Sequence, residues 1–300
     1  MRYKLKQFSD WKRPERHPEW LKVKMPHGER FHELKALVKT HNLHTVCESA
    51  SCPNIGECWN NGTLTTMIMG EKCTRACRFC DVPAGTPGPL NPDEPVSVAK
   101  MLGALNLRYT VITSVDRDDL PDEGAHHWAL TLREVRKTCP GMKIEALIPD
   151  FHAREDLLKI VCEAEPDVLA HNVETVESLQ KTIRPQASYE TSLQTLKSAR
   201  EKFGRITKSG LMLGLGEKRE EIIQTMKDLR GMDCQILTLG QYLRPSRNHH
   251  PVMDYIHPDQ FREYKEIGQN LGFPHVESNP LVRSSYRADR QAAELMRQKI

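Results

Sequence analysis

No apolar run in this 300-residue sequence approaches the roughly 18 residues that a membrane span requires. Its opening, MRYKLKQFSDWKRPERHPEW, has no apolar core of the kind that directs secretion. Asp10, Glu15, Glu19 and two prolines in the same stretch argue against an amphipathic import peptide. The expectation is a cytoplasmic, monomeric protein with no membrane partner. A net charge of only +3, with no concentrated basic stretch, argues against nucleic acid as a partner. The basic first residues read as a solvated, loosely ordered arm. Internal repeats and low-complexity tracts are absent as well, which argues against solenoids.

What the sequence does have is thiols, and they are unevenly spread. Six of the nine cysteines fall in CESASCPNIGECW (47–59) and CTRACRFC (73–80). Without a secretion signal such clusters read as metal or redox sites rather than disulfides. Cys139, Cys162 and Cys234 stand alone among apolar or helix-end residues and read as small buried side chains.

From residue 62 onward short apolar runs rich in Val, Ile, Leu and Thr alternate with helical patterns. The runs are TLTTMIMG (63–70), RYTVITSV (108–115), KIEALIP (143–149), DVLAHNV (167–173), TKSGLMLGLG (207–216) and CQILTLGQY (234–242). Strands apolar on both faces and separated by helices predict a parallel sheet with right-handed crossovers. Six units are too few for a closed eight-stranded barrel. The fold class expected is α/β, a partial (βα)6 TIM-like barrel, with a flat doubly wound sheet as the alternative. PAGTPGPLNPDEP (83–95), with five prolines, reads as a loop. The parts are taken as one integrated unit: an N-terminal extension over 1–61, the barrel over 62–274 and a C-terminal extension over 275–300.

In either architecture chemistry gathers at the carboxyl ends of the strands. CTRACRFC follows the first strand directly. Three soft thiolates suit zinc, copper(I) or an iron–sulfur cluster. A structural zinc site wants four ligands and is closed. Three cysteines on a four-iron cluster leave one iron open, which makes a reaction site.

With this placement CTRACRFC resembles the radical S-adenosylmethionine enzymes. CESASCPNIGECW, VITSVDRDDL, TKSGLMLGLGE, LTLGQYLRPS and the late RSSY (283–286) extend the likeness to the lipoyl synthase family, over about residues 44 to 290. The resemblance implies two [4Fe–4S] clusters. Cys73, Cys77 and Cys80 would hold the one that binds S-adenosyl-L-methionine. Cys47, Cys52 and Cys58 would hold an auxiliary one, completed by a serine of RSSY, with Ser285 favoured over Ser284. Read without the family, either serine is an N-cap for the helix YRADRQAAELMRQ. The implied activity is a sulfurtransferase reaction: two sulfurs from the auxiliary cluster enter C6 and C8 of a protein-bound octanoyl-lysine. Two S-adenosylmethionine molecules are cleaved per product. The implied partners are octanoylated lipoyl carrier domains or the glycine-cleavage H protein, a flavodoxin or ferredoxin reductant, and an iron–sulfur carrier that rebuilds the auxiliary cluster.

The same resemblance suggests a shell for the cofactor. Phe79 would be an aromatic wall, or else a loop anchor. Asn172 and Glu174 would meet the ribose hydroxyls or the methionyl amine, and Arg184 the methionyl carboxylate. Thr113, Ser114, Lys208 and Gln241 are further members. The Gly214-Leu215-Gly216 stretch would allow close backbone approach. Asp116 to Asp119 read as helix caps and arginine partners rather than a hard-metal site, and His249-His250 as a surface loop. The competing class is a non-catalytic protein, either a zinc-stabilised module or an iron–sulfur electron carrier.

Overall fold

A computed structural model describes residues 17–23, 26–41, 43–49, 52–61, 63–105 and 107–297. The basic arm expected over the first residues lies outside them, apart from its last few positions. One eight-stranded sheet runs in chain order, β1 to β8. β1 (His44–Thr45) is antiparallel to β2 (Thr65–Ile68). β3 (Tyr109–Ser114), β4 (Lys143–Leu147), β5 (Val168–Ala170), β6 (Ile206–Leu213), β7 (Ile236–Gln241) and β8 (His275–Ser278) continue from β2, each parallel to the last. The two ends of the sheet do not pair among the described residues, so this is a partial barrel.

The six expected strands are β2 to β7. Main crossover helices follow each: Glu94–Ala104, Ala125–Thr138, Glu155–Cys162, Tyr189–Glu201, Arg219–Gly231 and Pro258–Asn270. The last crossover delivers an unexpected parallel strand, β8. It is four residues long and alternates half-buried with buried side chains, so it has no apolar run to announce it. β1 is shorter still, at two residues.

Two layers of side chains make the core. Ile112, Ile144 and Leu169 point outward and meet Met101, Trp128, Leu132 and Val161 of the helices. Inside, Tyr109, Val168, Ile206 and Ile236 stand at or near the amino ends of their strands. They pack against Ala288, Ala292 and Leu295 of the helix Ala288–Arg297. That helix therefore plugs the amino end of the barrel, and polar chemistry is left to the other end and to the flank between β8 and β1.

Candidate functional site

β2 ends at Ile68, and Met69 and Gly70 take positive φ (68° and 96°), which turns the chain off the sheet. A buried carboxylate holds this turn: Glu94 Oε2 accepts from the Met69 amide (2.8 Å) and lies 2.7 Å from His127 Nε2. The loop that follows carries Cys73, Cys77 and Cys80, and it is fastened from several sides. The Cys73 amide donates to Pro83 O (2.9 Å) and the Arg78 amide to Ile183 O (2.8 Å). His249 Nε2 lies 2.9 Å from Cys80 O, and the His250 amide donates to Arg78 O (2.9 Å). The two histidines expected on a surface loop instead fold back onto the cysteine loop. His250 is buried.

Arg75, inside the loop, is the deepest fastening. Its guanidinium donates twice to Asp150 (2.8 Å each) and also to Asp118 (2.8–3.2 Å). Asp116 lies 3.5 Å away. Arg117 pairs with Asp119 at 2.8 Å. The acidic run thus serves arginines, and it caps no helix, since the next begins at Ala125. Burial works against the charge of Asp150, but the bonds and charge of Arg75 outweigh it and hold the carboxyl well below the usual carboxylate range.

Cys73, Cys77 and Cys80 open onto a cavity of about 560 Å³. Burial pushes each thiol up to about 12. Such thiols stay protonated at neutral pH unless a cation displaces the proton, which is how thiolate-bound metal groups assemble. Phe79, Thr113, Ser114, Asn172, Glu174 and Arg184 line the same cavity. Asn172 Oδ1 and Arg184 Nε are buried there without a hydrogen-bond partner among the described residues. A Cβ added at Gly210 would stand 2.4 Å from Thr238 Oγ1 and 3.2 Å from Asn172 Oδ1, so only glycine leaves the asparagine its place. Soft donors, unanswered polar atoms and a glycine cradle together fit a cluster with a polar organic cofactor.

The other shell residues differ. Thr113 Oγ1 donates to Leu147 O (2.9 Å), and Ser114 Oγ accepts from Trp128 Nε1 (3.2 Å), so both also tie strand ends. Phe79 packs with Ile183, Leu215, Tyr242 and Val252, and so anchors the loop while facing the cavity. Lys208 and Gln241 do not line the cavity. Lys208 is fully buried against Glu145 (2.8 and 3.1 Å), which also accepts from Tyr109 (2.7 Å). Gln241 Nε2 donates to Leu213 O, Tyr242 O and Asp254 O, and its Oε1 accepts from the Ile256 amide. Gly214 makes room for Gln241 and the Asp254 carbonyl, at 2.3 and 2.4 Å from an added Cβ, not for a cofactor.

Cys47 lies on the short helix Val46–Ser49 and Cys58 on Ile55–Asn60, with the Cys52 amide between them donating to Cys47 O (3.1 Å). These three and Ser285 line a second cavity, of about 30 Å³. Ser284 does not line it, although both serines border the larger one. The final helix starts at Ala288, three residues after Ser285, so neither serine is its N-cap. Burial pushes the Cys58 thiol up to about 12 and raises Cys47 as well. The segment 281–287 reaches this site by passing close to β7. A Cβ at Gly240 would lie 2.0 Å from Val282 O. Asn54 Nδ2 donates to Leu281 O (2.6 Å), and Glu57 Oε1 accepts from Tyr286 (2.9 Å) and Arg287 (3.0 Å).

Arg283 lines both cavities, and its positive charge faces Cys52 and Glu174. Arg75 and Arg283 were not singled out from sequence, though each sits inside a motif that was. His171, a strand-end polar residue given no role from sequence, lines the larger cavity beside Asn172. Cys139, Cys162 and Cys234 are buried as expected.

The family model of the radical SAM superfamily matches residues 67–229. A model of the N-terminal domain of lipoyl synthase, of the same superfamily, matches residues 2–52. Lipoyl synthase of Treponema denticola is 51% identical over 276 residues, covering 92% of this chain and 95% of its own. Lipoyl synthase of Burkholderia pseudomallei is 54% identical over 278 residues, covering 92% and 84%. The crystal structure of methylornithine synthase superposes with a TM-score of 0.54 at 14% identity, covering 91% and 92% of the two chains. SuiB of Streptococcus suis bound to S-adenosylmethionine gives 0.55 at 11% identity, covering 76% and 54%, and like the first is a likeness of fold alone.

Proposed function

The chain belongs to the lipoyl synthase family of radical S-adenosylmethionine enzymes, and we propose that it inserts sulfur at C6 and C8 of an octanoyl group amide-linked to a lysine of a carrier protein. The observation that carries this reading is the meeting of the two cysteine trios. They open onto two cavities that share Cys47, Cys52, Thr65, Arg283 and Ser285 as lining residues.

C6 and C8 are unactivated carbons, and no acid or base at neutral pH removes their hydrogens. Cys73, Cys77 and Cys80 would hold a [4Fe–4S] cluster. When bound, it supplies the electron that splits S-adenosylmethionine into methionine and a carbon radical able to take such hydrogens. The chain's own residues bind, orient and keep water out. Arg184 would take the methionyl carboxylate, Asn172 and Glu174 the amine or ribose hydroxyls, and Phe79 would wall the loop side. Burial raises the Glu174 carboxyl, opposed by Arg184, Asn172 and Arg283.

Cys47, Cys52, Cys58 and Ser285 would hold the auxiliary [4Fe–4S] cluster, which is a sulfur substrate here. Two sulfurs leave it per product, and two S-adenosylmethionine molecules are consumed for the two hydrogens removed. The cluster must then be rebuilt by an iron–sulfur carrier. A flavodoxin or ferredoxin would supply the electrons. The carrier substrate is a lipoyl domain or the glycine-cleavage H protein. No helix among the described residues is long and apolar enough to cross a membrane.

The test is an anaerobic single-turnover assay. Reconstituted protein is given dithionite, S-adenosylmethionine and an octanoyl-lysyl peptide, and the peptide is weighed by mass spectrometry. The expected result is a gain of two sulfurs with 5′-deoxyadenosine formed. Deoxyadenosine with an unchanged peptide would sink the substrate. No deoxyadenosine from protein with both clusters intact would return the chain to the electron carriers.

A further inference from the structure

Arg184 is buried at the edge of the larger cavity, and its hydrogen bonds are one-sided. Nη1 faces three acceptors: Asn172 O (3.4 Å), Val173 O (3.3 Å) and Ser192 Oγ (3.3 Å). Nε is buried without a partner, and no hydrogen bond reaches Nη2 among the described residues. The Nε–Nη2 edge is therefore the free one, and it is the edge that meets a carboxylate with two parallel bonds.

Ser192 is held in turn by His171. The His171 Nδ1 lies 2.9 Å from Ile148 O, a group that only accepts, so Nδ1 carries the proton. Nε2, 3.0 Å from Ser192 Oγ, is then the acceptor. The serine hydroxyl gives its proton to the ring rather than to Ser188 O at 3.1 Å, and its lone pairs are left for Arg184. Burial, aided by the Arg184 cation, pushes the histidine down to about 4, so the ring is neutral at working pH. His171 and Ser192 are both buried, and neither needs to touch a ligand to act.

We propose that His171 and Ser192 are positioning residues. Through the chain Ile148 carbonyl, imidazole, hydroxyl and guanidinium they anchor one corner of Arg184 and present its free edge to the carboxylate of the bound cofactor. The proposal rests on the reading of Arg184 given above. An arginine fixed in advance loses less freedom on binding, so the relay acts on affinity for the carboxylate and not on the adenosine half.

The experiment uses the reconstituted holoprotein under anaerobic conditions, with matched iron content, and equilibrium dialysis against two probes. One is S-adenosylmethionine and the other its decarboxylated analogue. Ser192→Ala is expected to weaken S-adenosylmethionine binding about tenfold. Binding of the decarboxylated analogue should stay unchanged. His171→Phe should also weaken S-adenosylmethionine binding, the double variant should be no worse toward it than the weaker single variant, and Ser192→Thr should restore affinity. Equal weakening toward both probes, or none toward either, would overturn the relay. Arg184→Ala separates the two levels of the reading. If it fails to discriminate the probes, the carboxylate role of Arg184 falls and the relay with it. If it discriminates and Ser192→Ala does not, the relay alone is wrong. Should His171→Phe not fold, Ser192→Ala, which removes one oxygen, carries the test.

Discussion

The two cysteine trios are held in unlike ways. The loop of Cys73, Cys77 and Cys80 is bolted to the barrel by Arg75, whose side chain is 2% exposed and whose partner Asp150 is equally buried. The segment of Cys47, Cys52 and Cys58 meets its serine-bearing partner largely through surface bonds. Glu57 and Arg287 are 46% and 50% exposed. A buried, bidentate, charge-assisted frame is hard to open. Exposed pairs contribute little and exchange readily with water. The difference matches the proposed fates of the two clusters, one kept through turnover and one dismantled and rebuilt. The ligand set proposed for the auxiliary cluster also includes an oxygen, a poorer match for iron–sulfur chemistry than thiolate.

The largest effect should come from the trios themselves. Cys77→Ala is expected to abolish deoxyadenosine formation altogether. Cys58→Ala should leave deoxyadenosine formation in place and abolish sulfur insertion. Chromatography of the nucleoside and mass spectrometry of the peptide, run on both variants, separate the two roles. If Cys58→Ala also lost deoxyadenosine, the trios would not be functionally distinct.

Next comes the bolt. Arg75→Met leaves Asp150 buried without its partner, which should cost about 3–5 kcal/mol and lower the occupancy of the first cluster. Thermal melting and iron content read both. The pH dependence follows from the same pair. The folded Asp150 carboxyl lies below its ordinary value of 3.8, because Arg75 outweighs burial. Its contribution is therefore fully present above that value and is lost as pH falls through the window beneath it. Acid unfolding of the parent protein should show this loss, and Arg75→Met should not. An equal acid sensitivity in both would place the stabilisation elsewhere.

Much of this was legible in the sequence, for physical reasons that also explain the misses. Strands β2 to β7 are apolar on both faces and announce themselves; β1 and β8 are two and four residues long and only half covered. Cysteine spacing is a local signal, so both trios were readable. Polar residues near strand ends are ambiguous, because the sequence does not tell depth or side. Lys208 shares a face with Gly210, which lines the cavity, but stands one layer deeper, against Glu145. Gln241 follows Gly240, another lining residue, and so points to the opposite side of the sheet. His249 reaches the cysteine loop from 169 residues away, which no local pattern encodes.

The smallest effect on stability, and the sharpest test of the comparison, is at Glu57. Its Oε1 accepts from Tyr286 and Arg287 at 2.9 and 3.0 Å, and these bonds join the auxiliary cysteines to the segment that carries Ser285. Glu57→Gln weakens them at an exposed site, so it should cost no more than about 1 kcal/mol and move the melting temperature by about 2–4 °C at most. Cluster lability should respond more. With the first trio replaced by alanine, only auxiliary iron remains, and a chelator should strip it faster from Glu57→Gln than from the unsubstituted background. In the reciprocal background, with Cys47, Cys52 and Cys58 replaced, the substitution should leave iron release unchanged, because Arg75 and not Glu57 holds that loop. Equal rates in the first pair would mean that the Asn54–Leu281 contact and the close passage at Gly240 keep the serine in place by themselves. The auxiliary site would then be as firmly framed as the first, and the ease of its rebuilding would have to come from the cluster and its oxygen ligand rather than from the protein around them.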